Sequence, residues 1–279
     1  MVHSLNKIYK FGQVEYDLSN RTHIMGILNV TPDSFSDGGK YLNSSKAVDY
    51  ALKMIDEGAD FIDVGGESTR PGSESVSVED EINRVIPVIE QLSKATNIPI
   101  SIDTTKSAVA EKALQSGAVI VNDISSYHFD NSMPAVISKY HASVVLMHTK
   151  DKPKTMQHNP EYQNLIGEIK NYLAEAIKIS TAKDINQIII DPGIGFGKKI
   201  EHNIEIFKRL KDFQEFGYPI LVGPSRKSFI GELLDLPIDG RLEGTAAAVA
   251  VSIMNGANII RVHDVKEMKR VSKIVDALK

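Results

Sequence analysis

The chain contains no cysteine, which removes disulfides, thiolate metal sites and cysteine nucleophiles together. No apolar run is long enough for a membrane helix. The longest uncharged stretch, residues 245–260, falls short of the ~20 residues a span needs and carries Asn255 and Asn258. The first residues lack the charged and apolar regions of a secretory signal, so a soluble cytoplasmic protein is expected. An excess of positive charge is missing too. Lys and Arg number 32 against 36 Asp and Glu, which argues against a broad nucleic-acid footprint and confines any anion site to a local basic cluster. There is no HExxH, His cluster or paired-carboxylate box to cage a metal, and no convincing nucleophile–base pair. No GxGxxG follows the first apolar run, which weakens a dinucleotide-binding reading.

What is present is a repeat. The most informative stretch is QIIIDPGIGFGK, residues 187–198. Three isoleucines in a row suit a strand covered on both faces, as in a parallel sheet. The run stops at Asp191, and Pro192 ends regular pairing. Similar apolar runs occur at 24–29, 60–65, 98–103, 118–123, 142–148, 219–223 and 258–264. Helical patterns follow them, at 44–57, 79–92 (with Pro87 as a kink), up to Ser116, 133–140, 161–178, 201–213, 240–255 and after Asp264, which has capping-box spacing to Glu267. Eight strand–helix units without a low-complexity linker predict a single (β/α)8 TIM barrel of the α/β class over residues 24–279. An open doubly wound sheet is the rival. Ahead of the barrel, within residues 1–20, KIYKFGQVEYDL reads as a β-hairpin able to plug the barrel bottom.

In such barrels the C-terminal strand ends and the loops after them carry the chemistry. Those positions hold Asn29, Asp63, Asp103, Asn122, His148, Asp191, Lys227, Arg261 and His263. Taken singly, each reads first as a cap or a satisfied core group. Asp63 and His148 stay there, and Asp123 and Asp264 look like caps. Asp103, Asn122 and Asp191 together suit a flat heterocycle with amino, ring N–H and carbonyl edges, since a carboxylate can accept two parallel N–H bonds. A second cluster is basic. Arg261 and His263 are two apart on a strand and so face one way. Lys227 faces the same mouth, Ser228 lies near a helix start suited to an anion, and Arg70 sits on the loop after the second strand. Their convergence suggests pyrophosphate or two separate anions. The loop at 30–43 is long and rich in Thr, Ser, Asp and Gly, as lids are. Asn29 at its base offers one neutral oxygen, reasonable for Mg²⁺ that is held mostly by a diphosphate.

The chain resembles the dihydropteroate synthases, folate-pathway enzymes and sulfonamide targets. The stretches that carry the resemblance are GILNVTPDSFSDGG (26–39), DVGGESTRPGS (63–73), SIDTTK (101–106), VNDIS (121–125), DPGIGFGK (191–198), GPSRKSFIG (223–231), EGTAAA (243–248) and RVHD (261–264). The resemblance implies condensation of 6-hydroxymethyl-7,8-dihydropterin diphosphate with p-aminobenzoate, giving 7,8-dihydropteroate and diphosphate. It implies that Asp103, Asn122, Asp191 and Lys227 bind the pterin, with Met147 and Phe196 packed near its pocket. It gives Asn29, Thr69, Arg70, Arg261 and His263 to the diphosphate, with Asn29 also on Mg²⁺. It gives Phe35, Asp37, Arg70, Pro71 and Ser228 to p-aminobenzoate, and it implies a homodimer. Catalysis would rest on Arg261, His263, Arg70 and Mg²⁺ stabilising the departing diphosphate, with Asp103 and Asp37 stabilising a pterin-methylene cation. Residues 149–160 receive no role. Three rivals stand beside this: a pterin-dependent methyltransferase domain, a Schiff-base aldolase using Lys227, and a non-catalytic pterin-binding protein.

Overall fold

The computed structural model describes residues 8–31, 40–70 and 72–279, with backbone alone for 40–43. Phe35, Asp37, Pro71 and most of the expected lid at 30–43 therefore lie outside the described residues. The hairpin is present: β1 (Ile8–Phe11) pairs antiparallel with β2 (Val14–Asp17). Eight parallel strands follow, namely β3 (His23–Asn29), β4 (Phe61–Gly65), β5 (Ile100–Asp103), β6 (Ile120–Asp123), β7 (Ser143–Met147), β8 (Ile188–Asp191), β9 (Leu221–Val222) and β10 (Ile259–Val262). They run in the order β8-β7-β6-β5-β4-β3-β10-β9, and a parallel bridge between Ile190 and Ile220 spans the remaining gap. Chain order around a ring with flanking helices is the expected barrel, not an open sheet.

Nine helices lie among the described residues: α1 (Lys40–Asp56), α2 (Val78–Ala95), α3 (Ser107–Gln115), α4 (Met133–Lys139), α5 (Leu165–Thr181), α6 (Ile200–Lys208), α7 (Ser228–Leu234), α8 (Leu242–Met254) and α9 (Val265–Leu278). Local chemistry sets their ends. Ser77 accepts the Asp80 N–H at 3.1 Å, and Glu79, Asp80 and Glu81 then occupy the positive first turn of α2. Pro87 lies inside α2 without ending it. The helix expected over 201–213 stops at Lys208 and continues as a 3₁₀ turn, Leu210–Phe216. There Leu210 and Phe213 are both buried, a spacing of three that suits a three-residue period. The capping box expected of Asp264 and Glu267 does not form, because the Asp264 carboxylate takes the Arg226 guanidinium fork at 2.5 and 3.0 Å. A bidentate charged pair outcompetes one neutral cap bond.

Two apolar layers hold the barrel. One, between sheet and helices, includes Ile24, Ile62, Ile102, Val121, Val144, Ile190, Val222 and Ile260 from the strands. The other fills the barrel bottom with Met25, Phe61, Ile120, Val145, Ile189, Leu221 and Ile259, closed by Tyr9, Phe11 and Leu18 from the hairpin region. The hairpin is thus the plug the sequence suggested. Phe61 is its anvil, with the Phe11 ring 5.2 Å away edge-on and the Tyr16 ring at 5.1 Å. Phe61→Ala is expected to cost about 3–5 kcal/mol by leaving a cavity at a fully buried position. Urea unfolding of both proteins measures it, and a loss below about 1 kcal/mol would mean that the plug does not stabilise the barrel.

Candidate active site

The bottom layer explains the layer above it. Side chains along a strand alternate faces, so a residue two beyond an inward one is also inward. Phe61 leads to Asp63, Ile120 to Asn122, Val145 to Met147, Ile189 to Asp191 and Ile259 to Arg261. On β5, buried Ser101 leads to Asp103 in the same way. The sequence therefore stacks a polar layer on an apolar one, at the C-terminal end of the barrel.

Arg261 is the centre of that layer. Its Nε donates to Asp63 Oδ2 at 2.5 Å and its Nη2 to Asp103 Oδ2 at 2.6 Å. Asn122 Nδ2 donates to the same Asp63 oxygen at 2.9 Å. Asp63 is thus a fully buried core polar group, as expected, and it also orients both Arg261 and Asn122. The second oxygens, Asp63 Oδ1 and Asp103 Oδ1, are buried without a hydrogen-bond partner. Burial raises the Asp103 pKa, with the negative charges of Asp63 and Glu81 adding and Arg261 opposing.

Asp191 ends β8 beside this group. Its Oδ1 accepts the Gly193 N–H at 2.7 Å. Only glycine serves at 193, since φ is +74° and a Cβ would overlap the His148 carbonyl oxygen. Burial pushes the Asp191 carboxyl up to about 6, against Gly193, Lys227 and Lys198. Lys227 Nζ lies 4.0 Å above the Phe196 ring. Burial lowers its ammonium to about 8, aided by Arg261. Met147 and Phe196 form a small apolar cluster with Ile124 and Met156, separate from the two main layers. His148 keeps its core reading: its Nδ1 lies 2.9 Å from Lys198 Nζ, which also donates to the Phe196 carbonyl at 2.9 Å.

Above this floor opens a cavity of about 600 Å³, lined by Asn29, Thr69, Arg70, Lys227, Ser228, Arg261 and His263, the expected rim. Met156, Arg226 and Arg241, not singled out beforehand, line it too. Ser228 begins α7, and Arg70 is exposed. His263 is held through Ser225, whose Oγ is 3.0 Å from His263 Nδ1 and accepts the His263 backbone N–H at 3.2 Å. Its imidazole is not cationic as the basic cluster supposed. Burial, then Arg261 and Arg226, lower it to about 4. With the Ser225 hydroxyl donating to Nδ1, Nε2–H is left as a neutral donor.

The arrangement can bind a flat donor-rich ring on carboxylates and an anion on Arg, Lys and His, and stabilise charge developing between them. Among the described residues no group of three His, Asp or Glu could hold a metal. Asn29, which lines the cavity, offers a single neutral oxygen.

A family model described as pterin binding enzyme matches residues 25–263. A dihydropteroate synthase of Clostridium beijerinckii is 50% identical over 273 residues, covering 96% of this chain and 98% of that protein. The crystal structure of dihydropteroate synthase from Clostridium difficile in the presence of pteroic acid superposes with a TM-score of 0.90 at 46% identity, covering 94% of this chain and 98% of the other. The Yersinia pestis dihydropteroate synthase, solved with a sulfonamide drug, gives 0.92 at 42% identity over 97% and 98%.

The state of His263 is directly measurable. Its imidazole NMR signals are expected to keep the neutral form on acidification until a midpoint near about 4. Arg261→Met should move that midpoint upward by removing a neighbouring positive charge. A wild-type midpoint at the ordinary histidine value would contradict the burial argument.

Proposed function

This chain belongs to the pterin-binding enzyme family, among its dihydropteroate synthases, and we propose from that premise how its barrel mouth condenses 6-hydroxymethyl-7,8-dihydropterin diphosphate with p-aminobenzoate. The observation that carries the assignment of roles is Arg261, which is bonded to Asp103, is joined to Asn122 through Asp63, and lines one cavity with Asn29, Thr69, Arg70, Lys227 and His263. The methyltransferase reading and the Schiff-base reading of Lys227 give way to the family membership.

In this reading the Asp191 carboxylate accepts two N–H bonds from the amino-pyrimidine edge of the pterin. Asp103 and Asn122 take the remaining ring edge, and the unpartnered Asp103 Oδ1 is an acceptor ready for it. Lys227 donates to the ring carbonyl, and Met147 and Phe196 pack against the ring. Thr69, Arg70, Arg261 and His263 receive the diphosphate, with Asn29 at its margin. The bond from methylene carbon to diphosphate oxygen breaks, and its electron pair leaves with the diphosphate. The methylene cation is stabilised by the electron-rich ring and Asp103, and the aromatic amine then attacks and loses a proton. Ser228 and Arg70, with Phe35, Asp37 and Pro71, hold the p-aminobenzoate. Arg261 is already fixed by two carboxylates where leaving-group charge appears, which is preorganised electrostatic stabilisation.

Mg²⁺ fits these residues only as an ion carried by the diphosphate, because Asn29 supplies one oxygen and no acidic cage exists among the described residues. Bound there it would neutralise charge on the leaving diphosphate. A sulfonamide would compete for the p-aminobenzoate position. A homodimer is also proposed, supported by the exposed apolar side chains Val251 and Met254 on α8 and Ile274 on α9, two helices that pack side by side. Sedimentation equilibrium giving only monomer at micromolar concentration would refute it. A cytoplasmic location belongs to the proposal as well and rests on the sequence alone.

Incubation with the pterin diphosphate, p-aminobenzoate and Mg²⁺ should release diphosphate together with dihydropteroate, and chelation should slow it; release without pteroate would overturn the reading. Asp191→Asn should weaken pterin binding by about 100-fold, since it exchanges two charge-assisted bonds for one acceptor and one clashing donor. In the wild type, affinity should fall as pH drops through about 6, where the buried Asp191 carboxylate takes up a proton and loses an acceptor oxygen. Calorimetric titration across pH measures both, and a pH-independent affinity would remove Asp191 from the ring edge.

A further inference from the structure

Three residues beyond Asp103, at the N-cap of α3, Lys106 reaches away from the large cavity and joins two carboxylates from different elements. Glu81, in the first turn of α2, is fully buried and its Oε2 accepts from Lys106 Nζ at 2.5 Å. Glu67, two residues past the end of β4, also accepts from Lys106 through its Oε2. The same Glu67 oxygen accepts the backbone N–H of Val76 at 3.2 Å. That bond draws together the two ends of the 67–76 loop, which carries Thr69 and Arg70. The loop root is pressed onto α2 as well. A Cβ at Gly66 would lie 2.7 Å from Val85 Cγ1 and 3.0 Å from Glu81 Cγ, so only glycine lets the chain pass so close. Arg84 Nη1 holds the Gly66 carbonyl at 2.8 Å.

We propose that Lys106, acting through Glu67, is a positioning residue for the diphosphate and the second substrate: it clamps the neck of the loop after β4 so that Thr69 and Arg70 stand at the cavity rim. The proposal rests on the dihydropteroate synthase reading above. The clamp does not touch the cavity that Lys227, Arg261 and His263 line. It borders a second space of about 360 Å³, lined by Glu67, Glu81 and Lys106 and joined to the site through Thr69 and Asp103. A buried carboxylate such as Glu81 needs the ammonium in any case. Glu67 does not, since it is only partly buried, so its share of Lys106 is what ties loop to barrel. Released from the clamp, the loop would have to be ordered at each binding event, and the loss falls on the substrate that it positions.

Glu67→Ala is the informative variant, because Lys106 keeps Glu81 and no buried charge is left alone. The expected result is a rise of about tenfold in the p-aminobenzoate KM, with calorimetric affinity for 6-hydroxymethyl-7,8-dihydropterin changed by less than about twofold. Glu67→Gln, which keeps an acceptor for Val76 and Lys106, should restore most of the KM. Lys106→Arg should behave as wild type, and Lys106→Met, where it folds, should follow Glu67→Ala. An unchanged p-aminobenzoate KM in Glu67→Ala, or a parallel loss of pterin affinity, overturns the positioning role. Wild-type protein that makes no dihydropteroate overturns the functional reading instead, and this proposal with it.

Discussion

A guanidinium buried among strand ends must find counter-charge within hydrogen-bond reach, and Arg261 finds it in Asp63 and Asp103. The rest of the mouth follows from that pairing. Asp63, occupied by Arg261, presents the same oxygen to Asn122 and fixes its amide, so the carbonyl end of Asn122 is the one left for a ligand. Asp103 is tied through one oxygen and keeps the other free. Removing Arg261 alone would leave two buried carboxylates without their counter-charge, at a cost of about 3–5 kcal/mol.

Burial acts on four groups around that pair. It pushes Asp103 and Asp191 up and Lys227 and His263 down, so each resists its charged form. Each substrate half reverses one of these shifts. Ring N–H donors favour the ionised carboxylates, and a diphosphate favours the protonated Lys227 and His263. Substrate and site are therefore electrostatically complete only together.

The inward polar layer at the strand ends is legible in the sequence because period-two alternation is local. Once Ile189 is inward, Asp191 must be, and Arg261 follows Ile259 for the same reason. Asp63 sits at an equally inward position and was set aside, because a lone aspartate inside an apolar run reads as a satisfied core group; only its partner 198 residues away gives it a role. Met156 was invisible for a related reason. It joins Met147 and Phe196 from a loop with no periodicity, and nothing local announces that contact. β9 is shorter than the apolar run at 219–223 suggests: Leu221–Val222 form the strand and Ile220 adds a single bridge to Ile190, between Pro219 and Pro224. The lowered pKa of His263 has no sequence signal, since composition cannot report burial or the nearness of Arg261 and Arg226.

The loop after β7 shows how a segment without a motif can still serve the site. Its Pro153 carbonyl accepts the Gly72 N–H at 3.0 Å, reaching the loop that carries Arg70. Its Gln157 Nε2 donates to the Gly195 carbonyl at 2.8 Å, reaching the loop after Asp191. One segment thus touches both the ring-binding and the second-substrate sides. Neither bond is strong, at about 1 kcal/mol each. Their value is geometric, because they hold loops of separate strands in fixed relation above the barrel. A barrel can recruit such a strap from any intervening loop without disturbing the strand alternation that sets the chemistry. The inward polar side chains at the strand ends are therefore readable along the sequence, whereas the parts that hold the loops are readable only in space.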